Sequence, residues 1–279
     1  MSGPTYNPLE KTMTLIDLNI LQTEPAEIYH AKAKEYFSSH QLIEFMRCPL
    51  LYQRRRLGLI TEKEPSAYFI GRAAHTRILE GVEVYEREFA VGGPINPTTG
   101  KPYGNTTKKF LEWQEAQQKP VIPFDKAELI DAMNVGVRQN PYACQLLEQG
   151  KAEGVVRATY RDLPCQIRID WTNPQFGLVD LKTCDDLMWF ESDARRFGYH
   201  HQLAFYQSVL QQVIGEFVPV YMIAVEKKEP YRCGVWLLPS ETLQIARTEI
   251  EAAMERFKIA KSEDRWETGY EELRILNIV

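Results

Sequence analysis

Residues 166–183 read QIRIDWTNPQFGLVDLKT. Two short β-rich runs flank a cluster of turn formers from Asn173 to Gly177, so the stretch reads as a β-hairpin. Side chains alternate along a strand. On the first run Ile167, Ile169 and Trp171 are expected on one face, and Arg168, Asp170 and Thr172 on the other. On the second run Val179 and Leu181 share a face, with Asp180 and Lys182 opposite. If the turn holds five residues, Asp170 lies directly across from Asp180, with Cβ atoms roughly 4.5–5.5 Å apart. Two carboxylates so placed repel unless a cation lies between them. Oxygen ligation suits Mg²⁺, with Mn²⁺ as a substitute, because these hard ions keep several waters and bind phosphates. Lys182 points to the same place, where an ammonium can orient a water or stabilise charge on a phosphoryl group. A solvated strand edge also carries acids and lysines. Aspartate is a poor strand former, however, and both of these sit inside apolar runs, which favours a built site.

Outward from the hairpin, the chain divides into a helical part and a sheet part. Residues 1–37 carry few signals and read as an N-terminal arm or irregular lead-in; residues 38–279 read as a single domain, helical over 38–150, with a catalytic sheet core over 151–279. A helix is expected from Ser38, with Ser39 as cap and Leu42, Ile43, Phe45 and Met46 as its apolar stripe. Pro49 interrupts it, and a segment with three consecutive arginines, Arg54–Arg56, follows. Pro65 and Ser66 open a second helix reaching to Gly81; residues 92–104 read as a loop; helices are expected at 105–118, 125–138 and 141–149. Strands follow at 155–160, 166–171 and 178–181, then a helical stretch at 186–214, strands at 218–225 and 233–237, and a long helix from 240 to 260. This order defines an α/β fold with a mixed central sheet flanked by helices and an elaborated helical N-terminal half.

The bulk composition sets bounds. A chain of 279 residues with 44% hydrophobic and 25% charged residues forms an ordinary globular core. A formal charge of −5 does not mark a nucleic-acid binder, so phosphate-binding residues would have to be concentrated locally. The five cysteines are scattered and never spaced CxxC, which argues against a disulfide framework and fits a reducing cytoplasm. No N-terminal run resembles a signal peptide. The longest apolar stretch, at 217–225, is too short to span a bilayer and contains Pro219, so no membrane association is expected.

Asp170, a turn, and then Asp180-Leu181-Lys182 resemble the D…(D/E)xK signature of the PD-(D/E)xK nuclease superfamily. Gly71-Arg-Ala-Ala-His75 upstream resembles the GxxxH motif of its RecB-like branch, and Gln202-Leu-Ala-Phe-Tyr206 downstream resembles the QxxxY motif. Phe45–Tyr52 resembles a segment near the start of such domains. Four ordered motifs over residues 38–226 are far more specific than any one. Within the branch, the size and the histidine-containing site are most similar to RecE-type exonucleases, exonuclease VIII and its phage relatives. The resemblance implies a restriction-endonuclease-like core. His75, Asp170, Asp180 and the Leu181 carbonyl would hold the metal, Lys182 would position the attacking water, and Gln202 and Tyr206 would face the site. It further implies hydrolysis of DNA at duplex ends in recombination or repair, a ring-like homo-oligomer, and a single-strand annealing protein as partner. An endonuclease using the same site, or a non-catalytic DNA-binding protein on a nuclease fold, are the alternatives.

Read alone, several of these residues have plainer roles. His75 precedes Ile78 and Leu79 on one helical face and could be structural. Gln202 and Tyr206, four apart, fit an ordinary amphipathic helix. Glu153 reads as a surface charge or an outer ligand, and Asp185 and Asp186 as caps of the next helix. Arg54–Arg56, Lys108-Lys109 and Arg195-Arg196 could track phosphates or simply be solvated. His200 or His201 could touch DNA. Cys48 sits where some RecB-like nucleases place an iron–sulfur ligand, but only Cys233 follows Tyr206, so no cluster is expected.

Overall fold

The computed structural model describes residues 9–60 and 66–276. In chain order its elements are α1 (Ala26–Ala31), α2 (Ser39–Arg47), α3 (Pro49–Arg56), α4 (Ser66–His75), α5 (Val82–Glu88), β1 (Ala90–Val91), α6 (Lys108–Glu115), β2 (Val121–Ile122), α7 (Phe124–Gln139) and α8 (Pro141–Leu147). Then follow β3 (Lys151–Tyr160), β4 (Leu163–Asn173), β5 (Gly177–Cys184), α9 (Phe190–Phe197), α10 (Tyr199–Ile214), β6 (Val220–Glu226), β7 (Cys233–Leu237) and α11 (Ser240–Glu263). Strands β3 to β7 form one five-stranded sheet in sequence order. Only the β5–β6 pair is parallel, and α9 and α10 make its crossover.

Two apolar cores lie on opposite faces of the sheet. One packs β3–β6 against α2, α10 and α11 through Phe45, Leu203, Phe205, Val220, Met222 and Phe257. The other packs the sheet against α4, α7 and α8 through Ala73, Ile130, Met133, Leu146, Val179, Leu181 and Tyr221. β6 is buried at every residue, as befits a strand covered on both faces. The mixed sheet with flanking helices agrees with the sequence expectation. Among the described residues no helix is long and apolar enough to cross a membrane.

The boundaries correct the sequence reading in three places. Ser38, not Ser39, caps α2: its hydroxyl accepts the N–H of Gln41 while the Gln41 side chain accepts the Ser38 N–H, a reciprocal capping box. The stretch 186–214 is broken at Gly198, whose left-handed φ of 74° ends α9. β3 and β4 are longer than expected, because Arg161 and Asp162 both take positive φ and close a tight hairpin that lacks the usual Asn-Gly signal. Pro65, expected to open a helix, lies outside the described residues; α4 starts at Ser66, and a π-helical turn, Thr76–Glu80, carries it on to Gly81.

The lead-in is stitched to the sheet. Gln22 exchanges both backbone hydrogen bonds with Val155 on the outer edge of β3. Phe37 bridges Cys165 on β4, bonding Pro164 and Gln166, beyond the point where β5 leaves that strand.

Candidate active site

The site lies where the β4 ladder fails. On one side the rungs Ala152↔Trp171 and Gly154↔Ile169 flank Glu153 and Asp170, which face each other without a rung of their own. On the other side β4 pairs with β5 from Asn173↔Gly177 to Trp171↔Val179 and then stops. The next rung would be Asp170↔Asp180, so Asp170 stands in register with Asp180 as the turn length predicts, but the strands have parted. Asp170 Oδ2 instead accepts the backbone N–H of Leu181 at 2.9 Å. Glu153 has a φ of 52°, uncommon for a residue with a side chain, and strain of this kind concentrates at functional sites. The distortion also breaks the predicted alternation: Ile167 and Ile169 pack in the core beside α10, and Trp171 in the opposite one.

Three chain segments converge on this gap. α4 delivers His75, whose Nδ1 is 3.5 Å from Asp170 Oδ2 and whose ring also meets the Leu181 backbone. β3 delivers Glu153, its side chain only 17% exposed and paired with Arg168 at 2.6 Å. One ligand atom from each of His75, Glu153 and Asp170 lies within 4.8 Å of the others. Asp180 lies outside that close set. Its Oδ2 is 2.7 Å from Lys182 Nζ, and its Oδ1 accepts a hydrogen bond from Gln202 Nε2 at 3.3 Å. Lys182 in turn lies 4.8 Å over the ring of Tyr199. Tyr206 is buried, within hydrogen-bonding reach of Gln202 and Ser39, which ties α10 to the start of α2 beside the site.

Electrostatics follow from this crowding. Burial, with the neighbouring Asp170, lifts the Glu153 carboxyl to about 8, against the pull of Arg168. Burial lifts Asp180 to about 6 despite Lys182, and Asp170 helps to raise it. Asp170 is raised by burial as well, opposed by Lys182 and the Leu181 N–H. Burial works against the Lys182 charge, but Asp180 and Asp170 outweigh it and hold the ammonium above its ordinary value. Burial, aided by Lys182, lowers His75 to about 4, so its ring is neutral at pH 7. A neutral imidazole, clustered carboxylates that resist ionisation together, and a backbone carbonyl form a donor set that fits a divalent cation.

Sequence reasoning placed His75, Asp170, Asp180, Leu181, Lys182, Gln202 and Tyr206 in one site, and the structure brings all seven together. Glu153, which read from sequence as a surface charge or an outer ligand, is a largely buried group opposite Asp170, so the structure favours the second reading. Finding it needed the β3–β4 register, which depends on the inconspicuous Arg161-Asp162 turn. Asp186 does cap the turn that follows β5, by accepting the Met188 N–H, whereas Asp185 pairs with Lys227. Of the basic pairs, Lys108 and Lys109 both lie near Glu112, and Arg196 pairs with Asp193. His201 is bonded to Glu249 rather than turned to the gap.

A mixed five-stranded sheet with two aspartates and a lysine at a strand fork defines a PD-(D/E)xK-type fold. The chain belongs to the family described as a PDDEXK-like domain of unknown function (DUF3799), whose model matches residues 38–276. Among solved structures it is similar to a crystal structure described as a candidate exonuclease from Eubacterium rectale, with 15% identity, a TM-score of 0.66, and coverage of 92% of this chain and 97% of that one. At that identity the likeness concerns the fold. No curated protein matches the sequence.

Proposed function

We propose that this chain is a Mg²⁺-dependent deoxyribonuclease that degrades DNA from duplex ends. The observation that carries the reading is the gap in β4, where Asp170 leaves both ladders and meets His75, Glu153 and, across the fork, the Asp180–Lys182 pair. His75, Glu153, Asp170 and the Leu181 carbonyl would hold the cation, with Asp180 adding negative charge; the ion would supply Lewis acidity toward the phosphate and a more acidic water. His75 contributes as a neutral ligand because burial strips its proton. Lys182 keeps its proton between the two aspartates, so it orients a water or stabilises phosphoryl charge and does not act as the base. Asp180 fixes the ammonium and Gln202 fixes Asp180, a relay that aims Lys182 into the gap.

Exonucleolytic action, a ring-like oligomer and hand-over of the remaining strand to a single-strand annealing protein belong to this proposal. Its support is the four-motif likeness to the RecB-like branch, the size and histidine-containing site that resemble RecE-type enzymes, and the fold shared with the candidate exonuclease. A ring would multiply the phosphate contacts of a chain with net charge −5. The test is the purified chain with Mg²⁺ on linear and on closed-circular duplex DNA, with its mass measured by light scattering. Degradation of linear DNA alone by an oligomer is expected. Efficient cutting of closed circles would favour an endonuclease, and no cutting of either would favour a binding protein.

A further inference from the structure

Away from the strand fork, α10 opens with adjacent histidines, His200 and His201, facing α11. His201 Nε2 lies 2.6 Å from Glu249 Oε2, and the two imidazole rings are 4.0 Å apart, tilted by 39°. One ligand atom from each of His200, His201 and Glu249 lies within 4.8 Å of the others. We propose that these three side chains form a second cation site, selective for a nitrogen-preferring divalent ion such as Zn²⁺.

Three observations support this. An ion pair between His201 and Glu249 would need no third partner, yet His200 also brings a ring nitrogen within 4.8 Å of both. The His200 ring also lies against the Ala194 backbone, the outer contact that commonly sets the tautomer of a metal-binding histidine. The geometry needs little adjustment: zinc bonds of about 2.0–2.2 Å place tetrahedral ligand atoms roughly 3.4 Å apart, between the 2.6 Å and 4.8 Å limits found here. Two imidazoles and one carboxylate favour zinc over magnesium, which prefers oxygen alone. The site joins two helices. His200 and His201 stand on the first turn of α10, Glu249 stands on α11, and the next residue of α10, Gln202, holds Asp180. An ion there would clamp the turn that carries Gln202. The proposal is independent of the nuclease reading, because none of its three residues belongs to the fork.

The test is calorimetric titration of Zn²⁺ into the full chain in excess Mg²⁺, with His75→Ala present to remove the nitrogen ligand of the first site. One Zn²⁺ per chain is expected, with a rise in melting temperature. Adding Glu249→Gln or His200→Gln should weaken binding by about tenfold or more. Glu249 is half exposed, so its replacement leaves both cores intact even if a histidine variant folds poorly. Absence of Zn²⁺ binding, or affinity undiminished in Glu249→Gln, would overturn the proposal.

Discussion

Glu153→Gln is expected to make the metal-free protein more stable while disabling it. Burial and Asp170 raise the Glu153 carboxyl from 4.5 to about 8. The native state therefore binds this proton more tightly than the unfolded chain does, and stability falls as pH rises through the window between those values. At pH 7 an unfolded glutamate is ionised, and keeping it protonated or forcing its charge in the fold costs about 3 kcal/mol, at about 1.36 kcal/mol per pKa unit. Glutamine removes that cost. The value of about 8 is already net of Arg168, so what offsets part of the gain is imperfect hydrogen bonding of the buried amide. The net gain should be roughly 1–3 kcal/mol at pH 7, or several degrees in melting temperature for a chain of this size. Thermal unfolding in EDTA at several pH values reads it directly: the advantage should vanish near pH 4.5 and be largest above pH 8. Mg²⁺ should stabilise the wild type more than the variant, and cleavage should fall at least about tenfold. A variant no more stable than the wild type at pH 8, or equally advantaged at pH 4.5, would refute the electrostatic account.

Three further outcomes follow from the same geometry. Lys182→Ala should lose roughly a hundredfold or more of cleavage and keep Mg²⁺ affinity; a parallel loss of both would make the lysine a support of the fold. His75→Ala should weaken Mg²⁺ binding by at least about tenfold, as read by titration calorimetry, and unchanged affinity would make the histidine structural. Gly177→Ala should cost roughly 1–3 kcal/mol in denaturant unfolding, because φ is 95° there and a Cβ would sit 2.2 Å from the Pro219 carbonyl oxygen. Gly215→Ala, at a φ of 85° with open space around it, is the control and should cost less.

The hairpin was legible because its information is local. Alternation and a five-residue spacing place Asp170, Asp180 and Lys182 without reference to the rest of the chain. His75 lies on α4 and Gln202 and Tyr206 on α10, and no periodicity says that a helix end will reach a strand fork; only the ordered motifs did. Neither route could decide between a surface charge and an outer ligand for Glu153: it is in no motif, and its partner is fixed by a hairpin whose turn residues, Arg161 and Asp162, are charged and unremarkable in composition. The alternation across Ile169 and Trp171 failed for a related reason, since a strand that loses its rungs on both sides need not keep its pleat. The role of the lead-in was equally invisible. Its bridges to β3 and β4 are backbone hydrogen bonds with Val155, Pro164 and Gln166, which leave no residue-type signature.

The three residues Pro174, Gln175 and Phe176 act as a ruler. Asn173 Oδ1 accepts the N–H groups of Gln175 and Phe176, and the Asn173 amide is anchored to the Leu146 carbonyl, so the loop is held at one length. Inserting or deleting one residue there would shift the register by one and send Asp180 and Lys182 toward the opposite core, delivering Val179 and Leu181 to the fork instead. Across related chains, side chains around the fork can vary and be compensated one at a time. The length of this loop cannot drift by small steps, so it should be more uniform among active relatives than the identity of the residues that compose it.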